Sequence, residues 1–267
     1  MTKFKLAIIA LWLASSTAFA GPFILAGTDA DDHGSVLAGV NQDGWFFMQR
    51  ALENIGAGVT NGNKVVTILG STSSAATAAN SAFNLSSLVG ASWTVNTVST
   101  ANFANFFNGI SLVNINNVGI LMMDSGGNVG GGVAGSSFTA YASIINSFVG
   151  AGGGLFSQAN GYAWLTALLP AVTVTNEFAT GILLTAAGNT AFPGLNNGDL
   201  SAGPYHNRFN NFSPISTLGT SSSTGNAIII GGIGGSITNQ VPEPGVLALM
   251  GLGLAGLAAA RRRKQAT

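Results

Sequence analysis

Asp29-Ala30-Asp31-Asp32-His33-Gly34 is the densest run of potential metal-binding or acid–base groups in this chain. Aspartates at alternate positions ahead of a glycine offer the hard oxygen ligands that surround calcium. The resemblance to a calcium loop then breaks: the fifth position is His33, and the twelfth, where a bidentate glutamate belongs, is Val40. A looser site for calcium or another divalent ion stays open to Asp29, Asp31, Asp32 and His33. The competing reading is a solvated turn whose carboxylates accept hydrogen bonds from backbone amides. Asp124 also stands where an apolar run ends, and in a parallel sheet both places would lie beyond the carboxyl ends of strands, where ligand crevices form.

Other chemistry finds fewer residues. His33 and His206 are the only histidines, there is no cysteine, and no G-x-S-x-G occurs, so a serine–histidine hydrolase has little to build on. His206, within Pro204-Tyr205-His206-Asn207-Arg208-Phe209, stands in an aromatic and polar loop that could line a ligand groove, but the preferred reading is a surface loop with inward-packing aromatics. Gly130 to Gly135 fits G-x-G-x-x-G and precedes a helical pattern. It lies away from the preceding strand, however, and no acid follows about twenty residues on, so it reads as a loop and not a dinucleotide fingerprint.

The elements that would position these groups alternate. Phe23 to Ala26 reads as a strand, Trp45 to Ile55 as a helix with an apolar stripe, and Lys64 to Leu69 as a strand. An Ala-rich helical segment covers Ser73 to Val89, and Ser92 to Val98 alternates like a strand. A brief helix follows over Thr100 to Phe107. Val118 to Met123 is a buried strand, Ser136 to Val149 a helix, Gly153 to Ser157 a strand, and Gly161 to Leu169 a helix stopped by Pro170. Val172 to Thr175, Gly181 to Leu184 and Ala227 to Ile230 are strands, with a long Asn/Gly/Ser/Pro-rich loop region over 188–225. Such alternation favours an α/β fold, a three-layer sandwich on a parallel sheet with an irregular Gly/Asn-rich C-terminal third. The alternative is a mainly β body.

Residues 21–240 form the body, which carries three cations (Arg50, Lys64, Arg208) against eight acids, a formal charge of −5. With no basic patch, nucleic acid is excluded as a partner. Without cysteine, disulfides and thiolate chemistry are excluded as well.

The two ends carry address signals. Lys3 and Lys5, the apolar run Leu6 to Leu13, and Ala18-Phe19-Ala20 form a signal peptide over residues 1–20, cleaved by signal peptidase to leave Gly21 first. At the other end come Val241-Pro242-Glu243-Pro244, an apolar Gly/Ala/Leu helix over 246–260, then Arg261, Arg262, Arg263 and Lys264. At about 1.5 Å per residue that transmembrane helix is roughly 22 Å long, shorter than the hydrocarbon core of an average bilayer, and its cations belong on the cytoplasmic side.

This layout, over 241–267, resembles the PEP-CTERM sorting signal of Gram-negative bacteria. The resemblance implies processing by an exosortase, a membrane-embedded transpeptidase-like protease, near the Pro-Glu-Pro motif. The stretch from Val118 through Gly152-Gly153-Gly154-Leu155-Phe156-Ser157 resembles the flavodoxin-like domain of class I glutamine-amidotransferase-like proteins. Ser157 stands near the place of their cysteine nucleophile, so only the fold is implied. The combined expectation is an exported protein that meets the inner membrane transiently and then reaches the cell surface or a biofilm matrix. There it would have a structural or adhesive role, with exopolysaccharide as a candidate partner. The alternative is an extracytoplasmic hydrolase or ligand-binding domain built on Asp29, Asp31, His33 and Asp124.

Overall fold

A computed structural model describes residues 21–124, 130–158 and 161–232. In chain order the strands are β1 (Phe23–Ala26), β2 (Gly34–Leu37), β3 (Val40–Gln42), β4 (Val65–Leu69), β5 (Thr94–Val98), β6 (Ile120–Asp124), β7 (Gly154–Gln158), β8 (Thr173–Thr180), β9 (Ile182–Leu184), β10 (Pro204–Asn210), β11 (Thr217–Ser221) and β12 (Ala227–Gly232). The α-helices are α1 (Asp43–Gly58), α2 (Ser73–Asn84), α3 (Ser87–Gly90), α4 (Phe103–Phe107), α5 (Ala142–Gly150) and α6 (Ala186–Ala191).

Ten strands form one mixed sheet in the order β5-β4-β6-β7-β1-β12-β10-β8, with β11 on β12 and β9 on β11. The half from β5 to β1 is parallel, held by the registers Val66↔Ile120, Leu121↔Leu155 and Leu25↔Ser157. The remainder is antiparallel, beginning where Leu25 faces Ile230. Parallel strands covered on both faces need apolar residues at consecutive positions, and Phe23–Ala26 and Ile120–Met123 supply them. Alternate side chains enter opposite cores. Ile24, Ile68, Met122 and Phe156 pack with Phe47, Leu52 and Ala79 from α1 and α2. Phe23, Leu69, Leu121 and Leu155 pack on the other face with Phe103, Phe106, Phe138 and Phe148. Helices therefore lie on both sides of the sheet, as the alternation of patterns led one to expect, and the body is not mainly β.

Three expectations change, and one element is added. The region 188–225 is not one irregular loop, because most of α6 and all of β10 and β11 lie within or against it. In β10 and β11 the large apolar side chains buried deeply are Tyr205, Phe209 and Leu218, while Asn207 and Ser221 are buried polar residues, so the hydrophobic signal is thin. The segment after Gly161 forms only a short 3₁₀ turn over Ala163–Ala167, not a helix to Leu169. Likewise the first half of Ser136 to Val149 is 3₁₀, over Gly135–Tyr141, before α5 begins. A two-stranded hairpin, β2–β3, sits outside the main sheet. The transmembrane helix expected over 246–260 lies outside the described residues, and among those no helix is long and apolar enough to cross a membrane.

Candidate functional site at the carboxyl edge of the sheet

Beyond Ala26 the chain leaves β1 through Gly27 and Thr28 into the acidic turn. The backbone amide of Asp32 donates to the carbonyl of Asp29 at 3.1 Å, and that of His33 to Ala30 at 3.3 Å. Trp45 fastens the turn to α1 by donating from Nε1 to the carbonyl of Asp31 at 2.7 Å. Strand β10 then docks against the extension of β1: Thr28 bridges Tyr205, and the amide of His206 donates to the Gly27 carbonyl at 2.7 Å. The approach is close enough that a Cβ on Gly27 would stand 1.9 Å from the carbonyl oxygen of Asn207. A register shift between Tyr205 and Asn207 places His206 at a bulge, the kind of irregularity that re-aims a side chain.

The result is a histidine pair around one carboxylate. His206 Nε2 lies 3.1 Å from Asp29 Oδ2, and His33 Nε2 lies 3.7 Å from the same oxygen. An ionised carboxylate only accepts, so the hydrogen bond requires His206 to carry its proton on Nε2. Asp29 is 4 % exposed, and its Oδ1, like Nδ1 of His206, is buried with no hydrogen-bond partner among the described residues. Phe178 of β8 packs edge-on against the His206 ring with centroids 5.4 Å apart, and is itself 67 % exposed. Beside the pair lies a cavity of about 10 Å³ lined by Thr28, Ala30, His33, Gly44 and Asp199 among others, which is room for about one water molecule.

The other aspartates diverge. Asp31, also buried, accepts at Oδ1 from Gln158 Nε2 at 3.2 Å, tying the turn to the end of β7. Asp32 lies against the glycine loop, since a Cβ on Gly130 would fall 2.0 Å from its Oδ1. Asp124 ends β6 opposite Gln158 in register, so by backbone it shares this edge with Gln158 and the acidic turn. Among the described residues no group of three or more His, Cys, Asp or Glu side chains is placed to hold a metal ion.

The structure thus gathers Asp29 and His33, sends Asp31 and Asp32 to separate contacts, and adds His206. The surface-loop reading of His206 does not hold, because it lies on β10 against Asp29. Its run of alternating side chains, Tyr205 and Phe209 inward with polar residues between, was the available strand signal. The Gly130–Gly135 loop leads into the 3₁₀ segment Gly135–Tyr141 and also braces α2: Ala75 N and Ser74 Oγ both donate to the Gly130 carbonyl, at 2.9 and 3.2 Å.

Of the signal-peptide positions, Ala18 and Ala20 lie outside the described residues, and Gly21 is buried, donating from its backbone N to the Val149 carbonyl at 2.6 Å. Val241, Pro242, Glu243, Pro244 and Arg261 to Arg263 also lie outside the described residues.

Fold and edge geometry define an α/β domain whose Asp29–His206 pair and small cavity lie at the carboxyl ends of parallel strands. Residues 240–264 match the PEP-CTERM protein-sorting motif. This supports an exosortase substrate, exported and sorted to the cell envelope or surface. No curated protein and no solved structure matches the chain, and the flavodoxin-like similarity of the body is not confirmed.

Proposed function

We propose that this chain is a structural or adhesive component of the cell surface or extracellular matrix, released from the inner membrane by an exosortase. The match of residues 240–264 to the sorting motif is the observation that carries this reading. The weakly acidic, cysteine-free body suits an exported matrix protein, and exopolysaccharide is its proposed partner. Fractionation of host cells with and without their exosortase tests it. In the intact host the protein should appear in the surface or matrix fraction and co-sediment with purified exopolysaccharide. Without the exosortase it should stay with the inner membrane. An unchanged distribution would refute the reading.

A second reading is favoured by one specific feature, the buried and unpartnered Oδ1 of Asp29 between two histidines. We propose that Asp29, His33 and His206 contact a small polar ligand, or that Asp29 supplies an oxygen to a divalent ion such as calcium, with Asp31, Asp32 and Asp124 near by on the same edge by backbone position. Thermal melting of the full chain in rising calcium tests the metal arm. A stabilisation abolished by Asp29→Asn supports it, and an identical melt with and without calcium removes it.

A further inference from the structure

Both ends of the described body leave from one edge of the sheet, and that edge is opposite the Asp29 crevice. Gly232, the last residue of β12, faces Phe23 at the start of β1. Gly21, the first residue of the body, lies two positions before it and is bonded to Val149 near the end of α5. The loops of this amino edge are stitched together. Thr60 donates to the Gly152 carbonyl at 2.9 Å, Asn61 Nδ2 to Val118 at 3.0 Å, and Asn63 Nδ2 to Asn116 at 3.4 Å.

On this braced edge the loop between α4 and β6 holds Ile110 at 70 % and Leu112 at 93 % exposure. The loop is itself ordered by side chains, with Asn117 Nδ2 donating to the Leu112 carbonyl at 2.8 Å and Asn114 Nδ2 to Ser111 at 2.7 Å. Isoleucine and leucine held outward on this ordered loop are apolar groups that water leaves exposed and a lipid interface would bury.

Charge divides the same way. The amino-edge loops, 59–64, 91–93, 108–119 and 150–153, contain no acid and one cation, the exposed Lys64. Asp29, Asp31, Asp32, Asp43, Asp124 and Asp199, six of the body's eight acids, gather at the carboxyl edge. An anionic lipid surface would attract the first edge and repel the second.

The geometry points to a lipid-facing surface: while the chain is tethered, the amino edge rests on the bilayer through Ile110, Leu112 and Lys64, and the Asp29–His206 crevice faces away. Thirteen residues separate Gly232 from Val246. Fully extended they reach at most about 45 Å, on the order of the width of a body this size. A tether that leaves the amino edge and reaches no further than the body's own width favours that edge toward the membrane. The inference rests on the exosortase-substrate reading, because it needs the apolar 246–260 segment in the bilayer.

The cysteine-free sequence makes a clean test possible. The full chain carrying a single thiol, from Ile110→Cys, Leu112→Cys or Ser201→Cys, is labelled with an environment-sensitive dye. It is then reconstituted in phosphatidylethanolamine/phosphatidylglycerol vesicles. Ser201 is exposed near the crevice and serves as the opposite-edge control. Dye at 110 and 112 should shift to the blue and be quenched at least about twofold by spin-labelled lipid, as for apolar groups seated at an interface, with no change at 201. Equal or stronger quenching at 201 would overturn the orientation. So would no quenching at any position in protein that floats with the vesicles, and that result would leave the tether intact. Protein that fails to float would instead remove the tether reading on which the inference stands.

Discussion

Nε2 of His206 lies 3.1 Å from Oδ2 of Asp29, although the two residues are 177 positions apart in the chain. The contact joins the first parallel strand to the late antiparallel strands, so the candidate site exists only once both halves of the sheet have assembled. Removing the ring should leave a buried carboxylate without a hydrogen bond from a side chain, with only the His33 ring, 3.7 Å away, beside Oδ2. His206→Ala should therefore cost about 2–4 kcal/mol of stability, read as a lower urea midpoint at unchanged slope. A midpoint equal to wild type would mean that the pair is not formed in solution.

Gly27 is the backbone condition for that contact. Its added Cβ would meet the Asn207 carbonyl at 1.9 Å, and a strand-to-strand carbonyl cannot swing aside as a side chain can. Gly27→Ala should lower the melting temperature by more than His206→Ala does, because it displaces β10 and not a single ring. A melting curve at or above that of His206→Ala would contradict the docking of β10 on the β1 extension.

Glu177 staples the antiparallel end. It accepts from Arg208 Nη1 at 3.2 Å, Asn226 Nδ2 at 2.8 Å and Thr224 Oγ1 at 2.6 Å, joining β8 and β10 to the turn before β12. Glu177→Ala should destabilise by about 1–3 kcal/mol, since three donors lose their acceptor together. The loss should change little between low and moderate salt, because two of the three donors are neutral. A loss that salt abolishes would reduce the contact to a surface ion pair.

Phe47 fills the first core between Phe156 and Phe192, with ring centroids 5.9 and 5.2 Å away in edge-on geometry. Phe47→Ala should cost about 3–5 kcal/mol, from lost transfer energy and the cavity left behind. Chemical denaturation would register it, and a cost under about 1 kcal/mol would mean that the α1 face is not packed as described.

The parallel half was legible because its strands are short apolar runs separated by helical patterns. Phe23 to Ala26, Lys64 to Leu69 and Val118 to Met123 each became a strand within two residues of the expected bounds. The antiparallel half was obscured by its composition. β10 and β11 carry His206, Arg208, Asn210, Thr217 and Thr220 at partly exposed positions and bury the polar Asn207 and Ser221, and turn-forming residues surround them, so their period-2 signal is diluted. The site followed the same division. Asp29 and His33 could be grouped because they are four residues apart. His206 belongs to the site only through a β-bulge pairing that no local pattern reveals. The spread of Asp31 and Asp32 to Gln158 and the glycine loop was equally hidden, because it depends on what stands beside the turn in space.

The sorting signal was legible for a different reason. Its information is the linear order of imino acids, apolar run and cations, and tertiary context does not enter. Intact-mass measurement of the mature protein from its native host tests this central claim most directly. The account predicts a chain that begins at Gly21 and ends at or near Val241 to Pro244, without Arg261 to Arg263. A mature mass that still includes the terminal arginines, in protein residing in the inner membrane, would contradict it.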